Sequence, residues 1–287
     1  MNNPVPSYIL TVVCPDKVGI VAAVAGYLTS RSWFIEESSH FGDSDTGTFF
    51  MRTRFVAPDM GFSRTSFASG FEDIARKFAI EWQVHDTAVL PRVLIMVSRY
   101  DHCLNDLLYR YRTGALKMAI PAIISNHMDL AGLASWHKVP YFHIPVSAAT
   151  RQDAESRLMD IAGDTQAELI VLARYMQILS PAMCTRYAGR IINIHHSFLP
   201  GFKGAKPYHE AHRRGVKLIG ATAHYVTADL DEGPIIEQTV ERADHTMSPD
   251  DLAAIGRDVE SITLARAVKL HIEHRVFVNG SKTVVLR

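Results

Sequence analysis

The chain has 287 residues, 47% of them hydrophobic, enough to bury a large core and to form two domains. Its 30 basic side chains balance 30 acidic ones, which argues against a nucleic-acid polyanion or an anionic bilayer as the main partner. No apolar run reaches the length of a membrane span, and the N-terminus, MNNPVPSYIL, lacks the basic region and apolar core of a signal peptide. Cys14, Cys103 and Cys184 form no CxxC pair, so neither a disulfide framework nor a thiolate zinc site is expected, and a reducing cytoplasm fits.

SYILTVVC (7–14) reads as a strand ending at Pro15-Asp16. Residues 17–31 then carry Val18, Val21, Ala22, Ala25 and Leu28 at helical spacing. SWFIEESSHF and TFFMRTRFV alternate like two strands joined through Gly42-Asp43-Ser44-Asp45; a helical stretch over about 63–79 and IEWQVHD follow. The order βαββαβ predicts four antiparallel strands with two helices on one face. This segment resembles an ACT domain through Asp16, Gly19 and the helix in PDKVGIVAAVAGYL. A glycine there lets the backbone approach a ligand, and the helix N-terminus favours a carboxylate. Asp16 and Gly19 are therefore the candidate site for an amino-acid effector, and dimerisation without a ligand is the alternative. Where ACT domains often read Gly-x-Asn-Ile, this chain reads Ser32-Trp33-Phe34-Ile35.

The expected division is an ACT-like domain over 1–87, a linker over 88–92 and a second domain over 93–287. Apolar strands alternate there with helical stretches: RVLIMVS, DHCLNDLLYRYR, KMAIPAIIS, DLAGLASWH, YFHIP, RQDAESRLMDIAG, AELIVLA, PAMCTRYA and RIINIH. This alternation predicts an α/β, Rossmann-like, mostly parallel doubly wound sheet. GATAHYVTADL and GPIIEQTVE read as an added hairpin, and Ser248-Pro249-Asp250-Asp251 opens a last helix.

No GxGxxG, P-loop or GxSxG motif is present, which sets dinucleotide binding and a serine nucleophile aside. His209 and His212 have HxxH rather than HExxH spacing and read as a polar helix face. His85, His137, His245, His271 and His274 read as surface or capping residues. The stretch INIHHSFLPG is different. Asn193 and His195 lie two apart at a strand end, so they share one face, where open α/β sheets place ligands. His196 points the other way if the strand persists. Asp231, in a turn before Gly233-Pro234, supplies an acid that could partner the imidazole.

NIHHSFLP, GATAHYVTADLDEGPII and LARYMQILSP together resemble the formyltransferase fold that uses 10-formyltetrahydrofolate. Fused to an ACT domain, they resemble the formyltetrahydrofolate deformylases. The resemblance implies hydrolysis of 10-formyltetrahydrofolate to formate and tetrahydrofolate, supplying formate for purine synthesis, with no cofactor or metal. It carries over Asn193, His195 and Asp231 as catalytic. It places the pterin against Arg174, Tyr175, Met176, Gln177, Ile178 and Leu179, and against the loop with Val226 and Gly233. Asn126 and His127, at another strand end, are candidates for the acceptor side, with turn capping as the alternative, and a homo-oligomer is implied. Phosphate-binding relatives carry a Gly-Ser loop where this chain reads VSRYDHCLNDLLYR, with Asp101 expected to cap the helix. Water is therefore the expected acceptor. A formyltransferase with an amine acceptor is the alternative, and a non-catalytic regulator a third reading.

Overall fold

The computed structural model describes residues 5–57, 62–199 and 207–287; the Pro200-Gly201 end of the histidine motif lies outside them. Two compact units divide the chain: residues 1–90 with 273–277 and 284–287, and residues 91–272 with 278–283.

The first unit runs β1 (Ser7–Pro15), α1 (Ile20–Ser30), β2 (Phe34–Asp43), β3 (Thr48–Val56), α2 (Arg64–Phe78) and β4 (Glu81–Asp86). Its strands pair antiparallel in the order β2-β3-β1-β4. The strand period of two sends Tyr8, Leu10, Val12 and Cys14 to one face, where they pack with Ile20, Val24 and Leu28 of α1 and Phe67 and Phe71 of α2. Ser63 caps α2 by accepting from the Ser66 N–H at 3.4 Å. Ser32 takes a left-handed φ of 58° where the ACT pattern has glycine. Trp33 follows it into the core, stacked on Phe55 and Phe67.

The second unit runs β5 (Val93–Val97), α3 (His102–Arg112), β6 (Ile123–Ser125), α4 (Ala131–Trp136), β7 (Tyr141–His143), α5 (Arg151–Asp164), β8 (Leu169–Leu172), α6 (Pro181–Arg186), β9 (Ile191–His195), α7 (Pro207–Arg214), β10 (Leu218–Tyr225), β11 (Ile235–Arg242) and α8 (Pro249–Ile272). The sheet order is β11-β10-β9-β8-β5-β6-β7. The strands from β9 through β7 are parallel, and β10 and β11 extend the sheet antiparallel. The chain winds from β5 through β6 to β7 and then returns to β8 on β5's other side. That reversal creates the crevice in which such sheets bind ligands. Four apolar strands, β5, β6, β8 and much of β9, are buried on both faces. Asp101 precedes α3, but its carboxylate makes no capping bond to the backbone. It accepts from the Asn105 amide at 3.0 Å instead, because its backbone is already α-helical rather than extended. His209 and His212 are exposed on α7.

Beyond α8 the chain forms a last hairpin, β12 (Val276–Asn279) and β13 (Lys282–Val285), which the sequence reading did not contain. Residues 273–277 and 284–287 belong to the first unit, although the sequence reading grouped all of 93–287 together. Arg52, almost fully buried, donates to the Glu273 carbonyl at 2.8 Å and pairs with Glu37 at 3.1 Å. Arg275 donates to Glu37 at 2.8 Å, and Phe277 and Leu286 pack on Phe50.

Three histidines expected at the surface are built into the packing. His85 and His274 stack face to face at 3.5 Å, and Tyr225 Oη lies 2.7 Å from His271 Nδ1. Burial pulls His271 from its ordinary 6.5 down to about 4, and burial with nearby Arg64 does the same to His85. Between those values the unfolded chain binds protons that the folded chain refuses. Their neutral forms therefore favour folding fully above about pH 6.5, and the benefit is lost as pH falls towards 4. Thermal melts are expected to drop by several degrees between pH 7 and pH 5, on the order of 1–3 kcal/mol for His271. His271→Gln should flatten that slope, and an unchanged slope in the variant would remove His271 from the account.

Candidate active site

Asn193 and His195 occupy the carboxyl end of β9, and Ala173 and Arg174 follow β8 beside it. With the loop over 226–231 these segments enclose a cavity of about 320 Å³. Asn193, His195 and Asp231 all line it, as do residues 174–179 and Val226. Gly233 does not. A Cβ there would stand 1.7 Å from the Tyr225 carbonyl oxygen, so glycine serves the close approach of two backbone segments rather than a ligand.

His195 is 7% exposed, and its Nδ1 lies 3.3 Å from Asp231 Oδ2. Asp231 itself holds a left-handed φ of 58°, which turns its carboxylate back beneath the strand end. The contact with His195 outweighs burial and keeps the Asp231 carboxyl well below the usual carboxylate range. The carboxylate is thus ionised throughout the neutral range. His195 Nε2 is buried and has no partner among the described residues.

His224 escaped the sequence reading. The antiparallel register of β10 on β9 sets it directly opposite Asn193. Its Nδ1 meets the Tyr225 carbonyl at 2.9 Å, a contact only an Nδ1–H can make. Nε2 is then left to accept from Asn193 Nδ2 at 3.3 Å. Asp231 Oδ1, 3.7 Å away, is beyond hydrogen-bond reach. His224 therefore fixes which way the Asn193 amide faces. The available signal was the lone histidine in the run GATAHYV, seven residues before Asp231.

For His196 the condition of a persisting strand is not met. Strand geometry ends at His195, so alternation stops and His196 folds back to line the same cavity. Its ring stacks on His195 at 4.8 Å with 24° between planes. Arg174, at a left-handed φ of 64°, brings Nη1 to 3.1 Å from His196 Nδ1. Asn126 and His127 lie off the cavity wall and brace it. Ser98 Oγ donates to Asn126 Oδ1 at 2.7 Å and accepts from the Met176 N–H at 2.9 Å, while Asn126 Nδ2 meets His127 Nε2.

Among the described residues, His102, Cys103 and Glu260 form the one group of three metal-type ligands, within 4.8 Å of one another. Glu260 is already engaged there by His102 at 2.8 Å, Tyr208 at 3.0 Å and Arg174 at 3.4 Å. Burial pushes the Cys103 thiol far up. A guanidinium and a protonated thiol make this an ion-pair node rather than a cation site. In the first unit Gly19 is the N-cap of α1, at φ 99° and without a side-chain cap. Asp16 is exposed and packs its carboxyl over Gly42, where a Cβ would stand 2.3 Å away.

A formyl transferase family model matches residues 91–268. The chain is 47% identical to a formyltetrahydrofolate deformylase of Corynebacterium sp. strain P-1, over 98% of each. The crystal structure of a formyltetrahydrofolate deformylase from Burkholderia mallei superposes with a TM-score of 0.93 at 54% identity, over 99% of this chain and 100% of that one. A glycinamide ribonucleotide transformylase from Symbiobacterium toebii, 29% identical with a TM-score of 0.65, covers 71% of this chain and 97% of its own. The transformylase thus accounts for a part of the molecule, while the deformylases match it from end to end. The chain belongs to the formyltetrahydrofolate deformylase family.

Proposed function

We propose that the cavity hydrolyses 10-formyltetrahydrofolate to formate and tetrahydrofolate, with Asn193, His195 and Asp231 as catalytic residues. The carrying observation is the state of His195: Nδ1 tied to an ionised carboxylate, Nε2 buried in the cavity wall with its hydrogen-bonding capacity unspent.

Water attacks the formyl carbon, and the carbonyl electron pair moves onto oxygen. The Asn193 amide and the protonated His195 ring donate to that oxyanion. One such donor typically lowers the barrier by about 3–4 kcal/mol. Collapse reforms the carbonyl and breaks the bond to N10. The proton lost by water enters the His195–Asp231 pair and the pair delivers one to N10, so it ends as it began. The backbone of 174–179 and the loop with Val226 would hold the pterin through N–H and C=O groups, with Met176, Ile178 and Leu179 as apolar walls. Asn126 and His127 support that segment through Ser98.

The domain carrying this site is the second, from residue 93, and the ACT-like domain over 1–87, completed by residues 273–277 and 284–287, regulates or pairs. An amino acid bound at Asp16 and the Gly19 helix start, a homo-oligomer and a cytoplasmic setting complete the reading; the buried free cysteines support the last. Purified protein should release formate from 10-formyltetrahydrofolate without an added amine and unchanged by a chelator. Turnover that appears only with an amine would replace this reading with an acyl-transfer one.

A further inference from the structure

The catalytic pair accounts for one side of His195; the other side is occupied by a second chain of contacts that the hydrolytic scheme does not use. It begins at Glu260, a carboxylate only 2% exposed in the middle of α8. Burial alone would raise its pKa, yet His102, Arg174 and Tyr208 together hold it lowered and therefore ionised. Gly256, one helical turn earlier, makes room for this: a Cβ there would stand 2.0 Å from the Tyr208 hydroxyl that donates to Glu260. An ionised, buried carboxylate requires a cation beside it, and Arg174 is that cation.

The rest of Arg174 is equally constrained. Its guanidinium lies over the Tyr100 ring at 5.2 Å, and its backbone is in the left-handed region. Nη1 reaches His196 Nδ1 at 3.1 Å. A guanidinium has donors and no acceptor, so the His196 nitrogen must offer a lone pair, and the ring proton must sit on Nε2. His196 in turn stacks on His195.

We propose that Glu260 and Arg174 are positioning residues for His195: Arg174, anchored on the buried Glu260 carboxylate, fixes His196 as its neutral Nε2–H tautomer against the His195 ring. The inference rests on His195 being the catalytic group of the hydrolase reading. Two adjacent imidazoles would otherwise compete for one proton, and a charged His196 would oppose charge on His195. With the guanidinium plugged into His196 Nδ1, the proton that matters goes to His195 alone. Among the described residues, the charged and titratable groups around this pair include Arg174 on the β8 side with Tyr100 beneath it, Glu260 on α8, His102 and Cys103 on α3, Tyr208 on α7, and Asp231 and His224 on His195's far side.

The test reads the tautomer and the rate separately. Long-range proton–nitrogen NMR of nitrogen-15-labelled protein should find His196 as the Nε2–H form in the native enzyme, without substrate. In Arg174→Met, His196 should shift towards the Nδ1–H and doubly protonated forms as pH falls below about 6.5. The kcat profile for formate release should then gain a second acidic ionisation, and kcat should fall about 10- to 100-fold with little change in KM. Arg174→Lys keeps a donor and should recover part of both effects. Glu260→Gln, close to isosteric, should reproduce a milder version and add nothing to Arg174→Met when the two are combined. An unchanged tautomer in Arg174→Met, or a rate loss with no change in the acidic limb, would overturn the proposal. Native protein that releases no formate would instead remove the hydrolase reading, and the catalytic half of this inference with it, whatever the tautomer.

Discussion

His195→Ala is expected to cut formate release by about 10³-fold or more while leaving the protein folded. In the proposed hydrolysis the ring performs two jobs at once: it donates to the oxyanion, and it passes protons with Asp231, 3.3 Å away. Loss of an oxyanion donor costs about 10²–10³ in kcat, and loss of acid–base assistance about 10²–10⁴. Groups that act as a unit do not multiply, so the larger figure and not the product is expected. The folate should still bind, because the walls at 174–179 and Val226 remain. Substrate-induced stabilisation of the thermal melt should therefore persist while turnover disappears. A variant retaining a tenth of the native rate would assign the chemistry elsewhere in the cavity wall, where Asn193, His196, His224, Asp229 and Asp231 remain. His195→Ala also leaves the Asp231 carboxylate without its main donor, so a modest stability loss at neutral pH is part of the same result.

Gly233→Ala should be the most damaging substitution away from the catalytic groups. Its Cβ would stand 1.7 Å from the Tyr225 carbonyl oxygen and 3.3 Å from His224 Nδ1. The first is a clash with backbone, which no side-chain rotation relieves. The Tyr225 carbonyl accepts from His224 at 2.9 Å, and the Tyr225 N–H donates to the Pro234 carbonyl at 2.9 Å. Moving either segment breaks one of these contacts and carries Asp231, two residues away, off His195. Overpacking of this kind costs about 1–3 kcal/mol, with the upper part expected here. A misplacement of about 1 Å at reacting groups is worth about 10²-fold in rate. Urea unfolding and kcat should therefore both fall. Gly132→Ala is the control: a Cβ at this exposed position of α4 meets nothing within 4 Å and should stabilise by about 0.5–1 kcal/mol. Full activity in Gly233→Ala would mean that the Asp231 loop is set by something other than this contact.

Much of the site was legible because it rests on local rules. Asn193 and His195 share a face through the period of a strand, and Asp231 announces itself by its turn. His224 was not legible in that way, since its place depends on the register of β10 against β9, a pairing that no local pattern encodes. Asn126 and His127 sit at a strand's carboxyl end as expected, but β6 lies beyond β5 from β8, so they face the support of the cavity rather than the cavity. The place of His196 hung on whether the strand persisted, and β9 ends one residue before it, which local alternation does not encode. The partners Glu37 and Arg275 stand 238 positions apart, a separation over which periodicity is silent.

That last pairing has a consequence for the order in which the protein can form. The ACT-like sheet is encoded first, yet the face around Phe50 and Arg52 stays open until residues 273–277 and 284–287 have been made. During synthesis the ACT-like segment, which leaves the ribosome before the second unit, must therefore wait, with a buried-to-be arginine and an uncovered phenylalanine, through the translation of that unit. At 5–20 residues per second that wait lasts on the order of ten seconds or more, long enough for chaperone contact. It closes only when the chain returns to where it started.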